Sequence, residues 1–89
     1  MAKKQILFKS GEKKDRHSVA AFLHQLADKI DAGEVILKKG AEDVQLEIPA
    51  MVKFEIKADD KPGPRRTKRS LEVELEWYPG EADAPVELG

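Results

Sequence analysis

Carboxylates that alternate with lysines are the side chains of this sequence best suited to acid–base chemistry. They lie in two stretches, Lys53, Glu55 and Lys57, and Glu72, Glu74 and Glu76. A pair of carboxylates can work as acid and base when a partly dry, concave site separates their pKa values. A spacing of two places these residues on the outer face of strands, where they stay solvated. They predict a charged surface and no catalytic residues.

The two histidines do not have the spacing of a metal site. His17 and His24 are seven residues apart, which on a helix is two turns or about 10 Å. Helical metal-binding pairs stand one turn apart. The chain has no cysteine, which excludes thiol nucleophiles and cysteine-bound metals. Phosphate-loop, zinc-protease and calcium-loop motifs are also missing from the sequence. We therefore expect no enzyme, no cofactor and no metal.

The strongest local charge is a cluster of four cations after the segment Pro62-Gly63-Pro64. Its members are Arg65, Arg66, Lys68 and Arg69. In a long loop these side chains could neutralise phosphates or meet an acidic partner. The cluster has no aromatic residue for base stacking, and the net charge of the chain is −1. Nucleic-acid or polyanion binding through this loop is therefore the alternative function.

Trp77 is the only tryptophan, and it is in phase with three apolar residues, Leu71, Val73 and Leu75. Two readings of it stand. It packs in the core, or it is an aromatic anchor on an exposed apolar patch, where tryptophan is enriched.

One helix is predicted between Asp15, as N-cap, and Gly33, as the left-handed residue that ends it. Its apolar stripe follows helical spacing. The stripe consists of Val19, Phe22, Leu23, Leu26, Ala27 and Ile30.

The period of two after Gly33 predicts four strands, and residues 6–9 predict a fifth before the helix. A turn at Gly40-Ala41 sets Leu37 opposite Val44, and a turn at Ala50 sets Leu46 opposite Phe54. The expected fold class is α+β, with one amphipathic helix on one face of a mainly antiparallel sheet, in the order β-α-β-β-β-β. We expect a single domain over residues 5–78 and a disordered acidic tail over residues 79–89.

This arrangement resembles the Amphi-Trp domain family of small bacterial and archaeal proteins. The resemblance covers roughly residues 6–77. The stretches that carry it are Leu7-Phe8-Lys9-Ser10, residues 21–30 with Gly33, residues 44–49, and the strand that ends in Trp77. The resemblance implies the fold but no activity, cofactor or catalytic residue.

The leading expectation for function is a non-enzymatic module that binds another protein or itself through a sheet edge or through the charged sheet face. A single helix can cover only one face of a sheet, which leaves the other face available. The N-terminal apolar run is too short for a signal peptide or a membrane span. We therefore expect a cytoplasmic protein with no membrane and no small-molecule substrate.

Overall fold

The computed structural model describes residues 4–80 of the chain, which form one helix and four strands. The elements are α1 (Arg16–Ala32), β1 (Glu34–Lys39), β2 (Glu42–Glu47), β3 (Lys53–Pro62) and β4 (Thr67–Glu76). β1 pairs with β2, and β3 pairs with β4, each antiparallel. The α+β class is confirmed. The chain divides between Ile48 and Pro49 into two compact units, which are described in turn.

Helix α1 begins and ends at the residues that the sequence predicts. The Asp15 carboxylate accepts a hydrogen bond of 2.6 Å from the backbone N–H of Ser18, which satisfies one of the free donors of the first turn. Gly33 ends the helix with a φ of 88°. Only glycine adopts this conformation without strain. Its carbonyl accepts a 2.8 Å bond from the N–H of Ile48, which fastens the end of the helix to the chain beyond β2.

The β1–β2 hairpin has the predicted turn and register. Leu37 lies opposite Val44, and Lys38 lies opposite Asp43. Gly40 has a φ of 60° and occupies the first position of the two-residue loop, as in a type II′ turn. Helix α1 packs against β1. This unit therefore pairs one helix with one hairpin.

The core of this first unit is small. Val35 of β1 is 5% exposed and is the one buried apolar residue among residues 4–80. Leu26 and Ile30 of α1, and Leu37 of β1, are half-buried. The N-terminal part of the helix stripe is more open, since Phe22 is 52% exposed. The predicted stripe thus packs mainly through its C-terminal half.

The second unit contains a long hairpin. β3 and β4 each have ten residues, and their register runs without interruption from Lys53 opposite Glu76 to Pro62 opposite Thr67. Both strands extend further toward their connection than the apolar alternation of the sequence predicts.

The predicted first strand is wrong. Residues 6–9 border a groove with residues 41–44, but they belong to neither helix nor strand. This segment has three consecutive apolar residues before Lys9 and is followed at once by turn-forming residues. The segment is therefore too short to form a hydrogen-bonded strand pair. The order of elements over residues 4–80 is α-β-β-β-β.

The predicted continuous meander is also wrong, because the strands over residues 4–80 form two separate two-stranded sheets. Phe54 pairs with Leu75 instead of Leu46. The prediction that the apolar side of β3 and β4 is half-buried is wrong for Phe54, Ile56 and Val73, each 60% exposed, and for Leu71, 74% exposed. A two-stranded ladder provides no second layer within its own unit.

Two other expectations have a different outcome. The single domain over residues 5–78 stays a prediction. The predicted acidic tail lies, from residue 81 onward, outside the described residues.

No helix within residues 4–80 has the length and hydropathy needed to cross a bilayer.

The packing of Val35 generates the first prediction. Val35→Ala removes two methyl groups from a buried position, and we expect it to lower the free energy of unfolding by about 2 kcal/mol. The matched control is Ile36→Thr at the neighbouring position, which is 46% exposed, and which keeps a β-branched side chain. Urea unfolding followed by circular dichroism measures both. Equal losses in the two variants would contradict the assignment of the core.

Candidate functional site

The predicted basic cluster lies at the end of the β3–β4 hairpin. Residues 63–66 connect the strands, and the N–H of Gly63 donates a 2.9 Å hydrogen bond to the carbonyl of Arg66. The connection is shorter than the sequence predicts, because the ladder continues to Pro62 and Thr67. Arg65 and Arg66 therefore belong to a tight loop, while Lys68 and Arg69 belong to β4.

Arg69 is the member of the cluster that has a carboxylate partner. It lies directly opposite Asp60 in the ladder, and its Nε and Nη2 donate hydrogen bonds of 2.7 and 3.0 Å to the two carboxylate oxygens. This two-point geometry is the strong form of an arginine–carboxylate pair. The pairing lowers the pKa of Asp60, because Arg69 stabilises the charged form. Arg69 is thereby committed to an ion pair within the hairpin.

The other cations of the cluster are exposed and have no carboxylate partner within residues 4–80. Lys68 lies opposite Lys61, so like charges face each other there. We call residues 61–69 the hairpin tip. The tip contains five cations and no acidic residue: Lys61, Arg65, Arg66, Lys68 and Arg69. The structure thus brings the four predicted residues together and adds Lys61 to them.

The opposite end of the hairpin is acidic. Its charged residues are Lys53, Glu55, Lys57, Glu72, Glu74 and Glu76, and Glu55 lies opposite Glu74. Glu74 raises the pKa of Glu76, first through a side-chain hydrogen bond and then through charge repulsion, while Lys53 lowers it. Carboxylate oxygens of Glu55, Glu74 and Glu76 lie within 4.8 Å of one another, and all three residues are exposed. Three carboxylates can bind a hard cation such as Ca²⁺. Exposed acidic clusters are also common without a bound ion, so this cluster alone does not indicate a metal site.

The two sides of the hairpin differ sharply in polarity. The ladder alternates charged residues on one side with apolar residues on the other along most of its length. We call the apolar side the apolar hairpin face; it consists of Phe54, Ile56, Ala58, Leu71, Val73 and Leu75.

Trp77 comes directly after the last residue of β4 and is half-buried. It extends the period of two that runs through Leu71, Val73 and Leu75. Neither sequence reading of Trp77 is decided by this position. A half-buried indole packs part of its surface and leaves part of it available for contact.

The model of the family described as the Amphi-Trp domain matches residues 1–88. The chain belongs to the Amphi-Trp domain family. No curated protein and no solved structure matches the chain. Membership of the Amphi-Trp family, whose function is unknown, brings no residue roles with it.

Two residues of the Amphi-Trp hairpin tip region were missed by sequence reasoning. Asp60 and Lys61 lie in a polar stretch that has no apolar alternation. The available signal was symmetry about the loop: Asp60 is as far from the loop centre as Arg69, and Lys61 is as far from it as Lys68. It could be used only once the register was known.

The Asp60–Arg69 pair generates a prediction about pH. The pKa of Asp60 is lower in the folded chain than in the unfolded chain. The pair therefore stabilises the hairpin above the unfolded pKa, and its contribution is lost as the pH falls through the folded pKa. Arg69→Gln should raise the Asp60 titration midpoint toward its ordinary value, as measured by carboxyl NMR. Arg66→Gln, which changes a cation without a carboxylate partner in the described part of the chain, is the control. An unchanged midpoint in Arg69→Gln would contradict the pairing.

Proposed function

We propose that this Amphi-Trp domain is a non-enzymatic module that binds protein, either another chain or its own copies, through the β3–β4 hairpin. The observation that carries the proposal is the exposure of the apolar hairpin face. Leu71 is 74% exposed, and Phe54, Ile56 and Val73 are each 60% exposed. Contiguous apolar surface of this kind is typical of protein contact sites.

The shape of the hairpin supports this proposal. An isolated two-stranded hairpin is at best marginally stable in water, and it gains stability when a further strand or layer joins it. The apolar side chains of this hairpin lie on one side only, as three directly opposed pairs. Transfer of such side chains from water into a contact is favourable. A partner that covers the face would therefore stabilise the hairpin that it binds.

The surroundings of the titratable groups support a function without catalysis. His17 and His24 are exposed on α1, and the clustered carboxylates of the hairpin are exposed as well. Groups that work as general acid and base are usually held in a partly dry cleft that shifts their pKa values. A cysteine-free composition agrees with a reducing compartment, and we include a cytoplasmic location in the proposal.

The test removes the apolar character of the face and keeps its shape. The double variant Ile56→Thr/Val73→Thr retains β-branched side chains at two opposed positions. Light scattering gives the mass in solution, and capture from a lysate of the source cells identifies bound protein. We expect the unmodified chain to self-associate or to capture a defined protein, and we expect the double variant to lose this interaction.

The matched control is Lys57→Thr, which changes the opposite side of the same hairpin and should leave the interaction intact. Circular dichroism confirms that all three chains are folded. An unmodified chain that stays monomeric and captures nothing beyond what the double variant captures would overturn the proposal.

The hairpin tip favours a second candidate function, polyanion binding. Arg65, Arg66 and Lys68 are exposed and have no carboxylate partner within residues 4–80. They lie beside the paired Arg69 on a tip that contains no acidic residue. Release of counterions from a polyanion would drive such binding and make it weaken with salt.

This second function is tested by a salt titration against single-stranded DNA and heparin. Arg65→Ser/Arg66→Ser should weaken binding to both polyanions. With single-stranded DNA it should also flatten the slope of log K against log salt by about 0.7 for each phosphate that the variant no longer neutralises. Lys13→Ser/Lys14→Ser, which removes two cations outside the hairpin, is the control of equal charge. Equal binding by both double variants would exclude a role for the tip.

A further inference from the structure

The free edge of β4 suggests how two copies of this chain would join. Among residues 4–80, β4 is hydrogen-bonded to β3 and to no other strand. The N–H of Gly63 bonds to Arg66, and these residues continue the register of the ladder. Hydrogen-bonded and non-hydrogen-bonded pairs alternate along an antiparallel ladder. The even-numbered residues of β4 therefore bond to β3.

The odd-numbered residues of β4 direct their N–H and C=O groups away from β3. They are Thr67, Arg69, Leu71, Val73 and Leu75, and each has both a donor and an acceptor. The outer edge of β3 is less complete, because Pro62 falls at one of its outward positions and has no N–H. An additional strand would thus find a full set of partners along β4 and an interrupted set along β3.

Charges along β4 are arranged for an antiparallel copy of the same strand. Lys68 lies toward the tip, and Glu74 lies toward the acidic end. Within the hairpin each faces a like charge, because Lys68 is opposite Lys61 and Glu74 is opposite Glu55. Like charges directly opposite each other destabilise a sheet, and opposite charges stabilise it. The hairpin alone therefore leaves both residues with an unfavourable neighbour.

We propose that two copies of this chain join through their β4 edges, antiparallel, with Leu71 of one copy opposite Leu71 of the other. This proposal deepens the proposed function and rests on it, and it names a second copy as the partner. The register pairs all five outward-facing residues of each strand. It sets Lys68 opposite Glu74 of the second copy and Arg66 opposite Glu76 of the second copy.

Neighbouring registers are less favourable. A register centred on Glu72 places the Glu72 carboxylates of the two copies opposite each other. It also leaves Thr67 without a partner in β4 of the second copy. A register centred on Ser70 still sets Lys68 opposite a carboxylate, that of Glu72. It leaves Leu75, however, without a partner in β4 of the second copy. Since the symmetry axis is perpendicular to the sheet, the apolar hairpin faces of both copies would lie on the same side. Self-pairing thus turns two narrow hairpins into one four-stranded surface, on which the apolar residues of both copies lie beside their Asp60–Arg69 pairs.

The first test uses the absence of cysteine in the chain. In the full-length variant Leu71→Cys, the two cysteines would face each other across the symmetry axis. Their Cα atoms would be about 5.5 Å apart, which is within the range of a disulfide. Val73→Cys is the matched control on the same face, since its two copies would be about 13 Å apart along the strands. Under mild oxidation we expect at least tenfold faster dimer cross-linking of Leu71→Cys, measured on non-reducing gels.

A second test exchanges charge. Lys68→Glu should raise the dimer dissociation constant at least tenfold in analytical ultracentrifugation, and Lys68→Glu/Glu74→Lys should restore it. Within the hairpin both changes replace a like-charge pair by an opposite-charge pair, so a loss of dimer would not arise from a weakened hairpin. Circular dichroism verifies this.

Each outcome separates the proposals. A dimer that cross-links equally at positions 71 and 73, or that is indifferent to the charge exchange, would overturn the β4 register and leave the interaction function standing. A chain that is monomeric at every concentration would overturn self-pairing. The interaction function would then be judged by whether Ile56→Thr/Val73→Thr loses the captured protein.

Discussion

The antiparallel register of β3 and β4 is the constraint on which the functional surface depends. It places Phe54, Ile56 and Ala58 on one side with their apolar partners. The same register gathers cations at one end of the hairpin and carboxylates at the other. A shift of one residue would turn every side chain of a strand to the opposite side, so the polarity of the two sides and the neighbours of each charge have a single common cause.

The register also decides whether the charge of Arg69 is available to a ligand. As part of a linear run of cations, Arg69 is a free charge available to any anion. In the ladder it faces Asp60 and holds it at two points. Arg65 and Arg66, which lie in the loop, have no opposite strand to supply such a partner. The basic cluster is therefore divided into an internally neutralised part and an available part.

Local signals predicted the local structure well. Asp15, Gly33 and Gly40 each have a short-range reason for their position, namely a cap, a left-handed helix end and a tight turn. The same local logic failed for the far half of the hairpin, because polar residues on an exposed ladder show no apolar period. It also failed for the burial of Phe54, since alternation indicates which side is apolar and says nothing about what covers it. Of the candidate site, the cations were predictable and the ion pair was not.

The hydrogen bond from Ile48 to Gly33 has a consequence for how the chain acquires its structure. It closes the first unit on itself immediately before Pro49, while the long hairpin needs only residues near its own loop. Each strand pairing in either unit joins two consecutive strands of the chain. A hairpin closes from its short loop outward, so each further pair adds little loop-closure entropy. A nascent chain could thus form the first unit while β3 and β4 are still being synthesised.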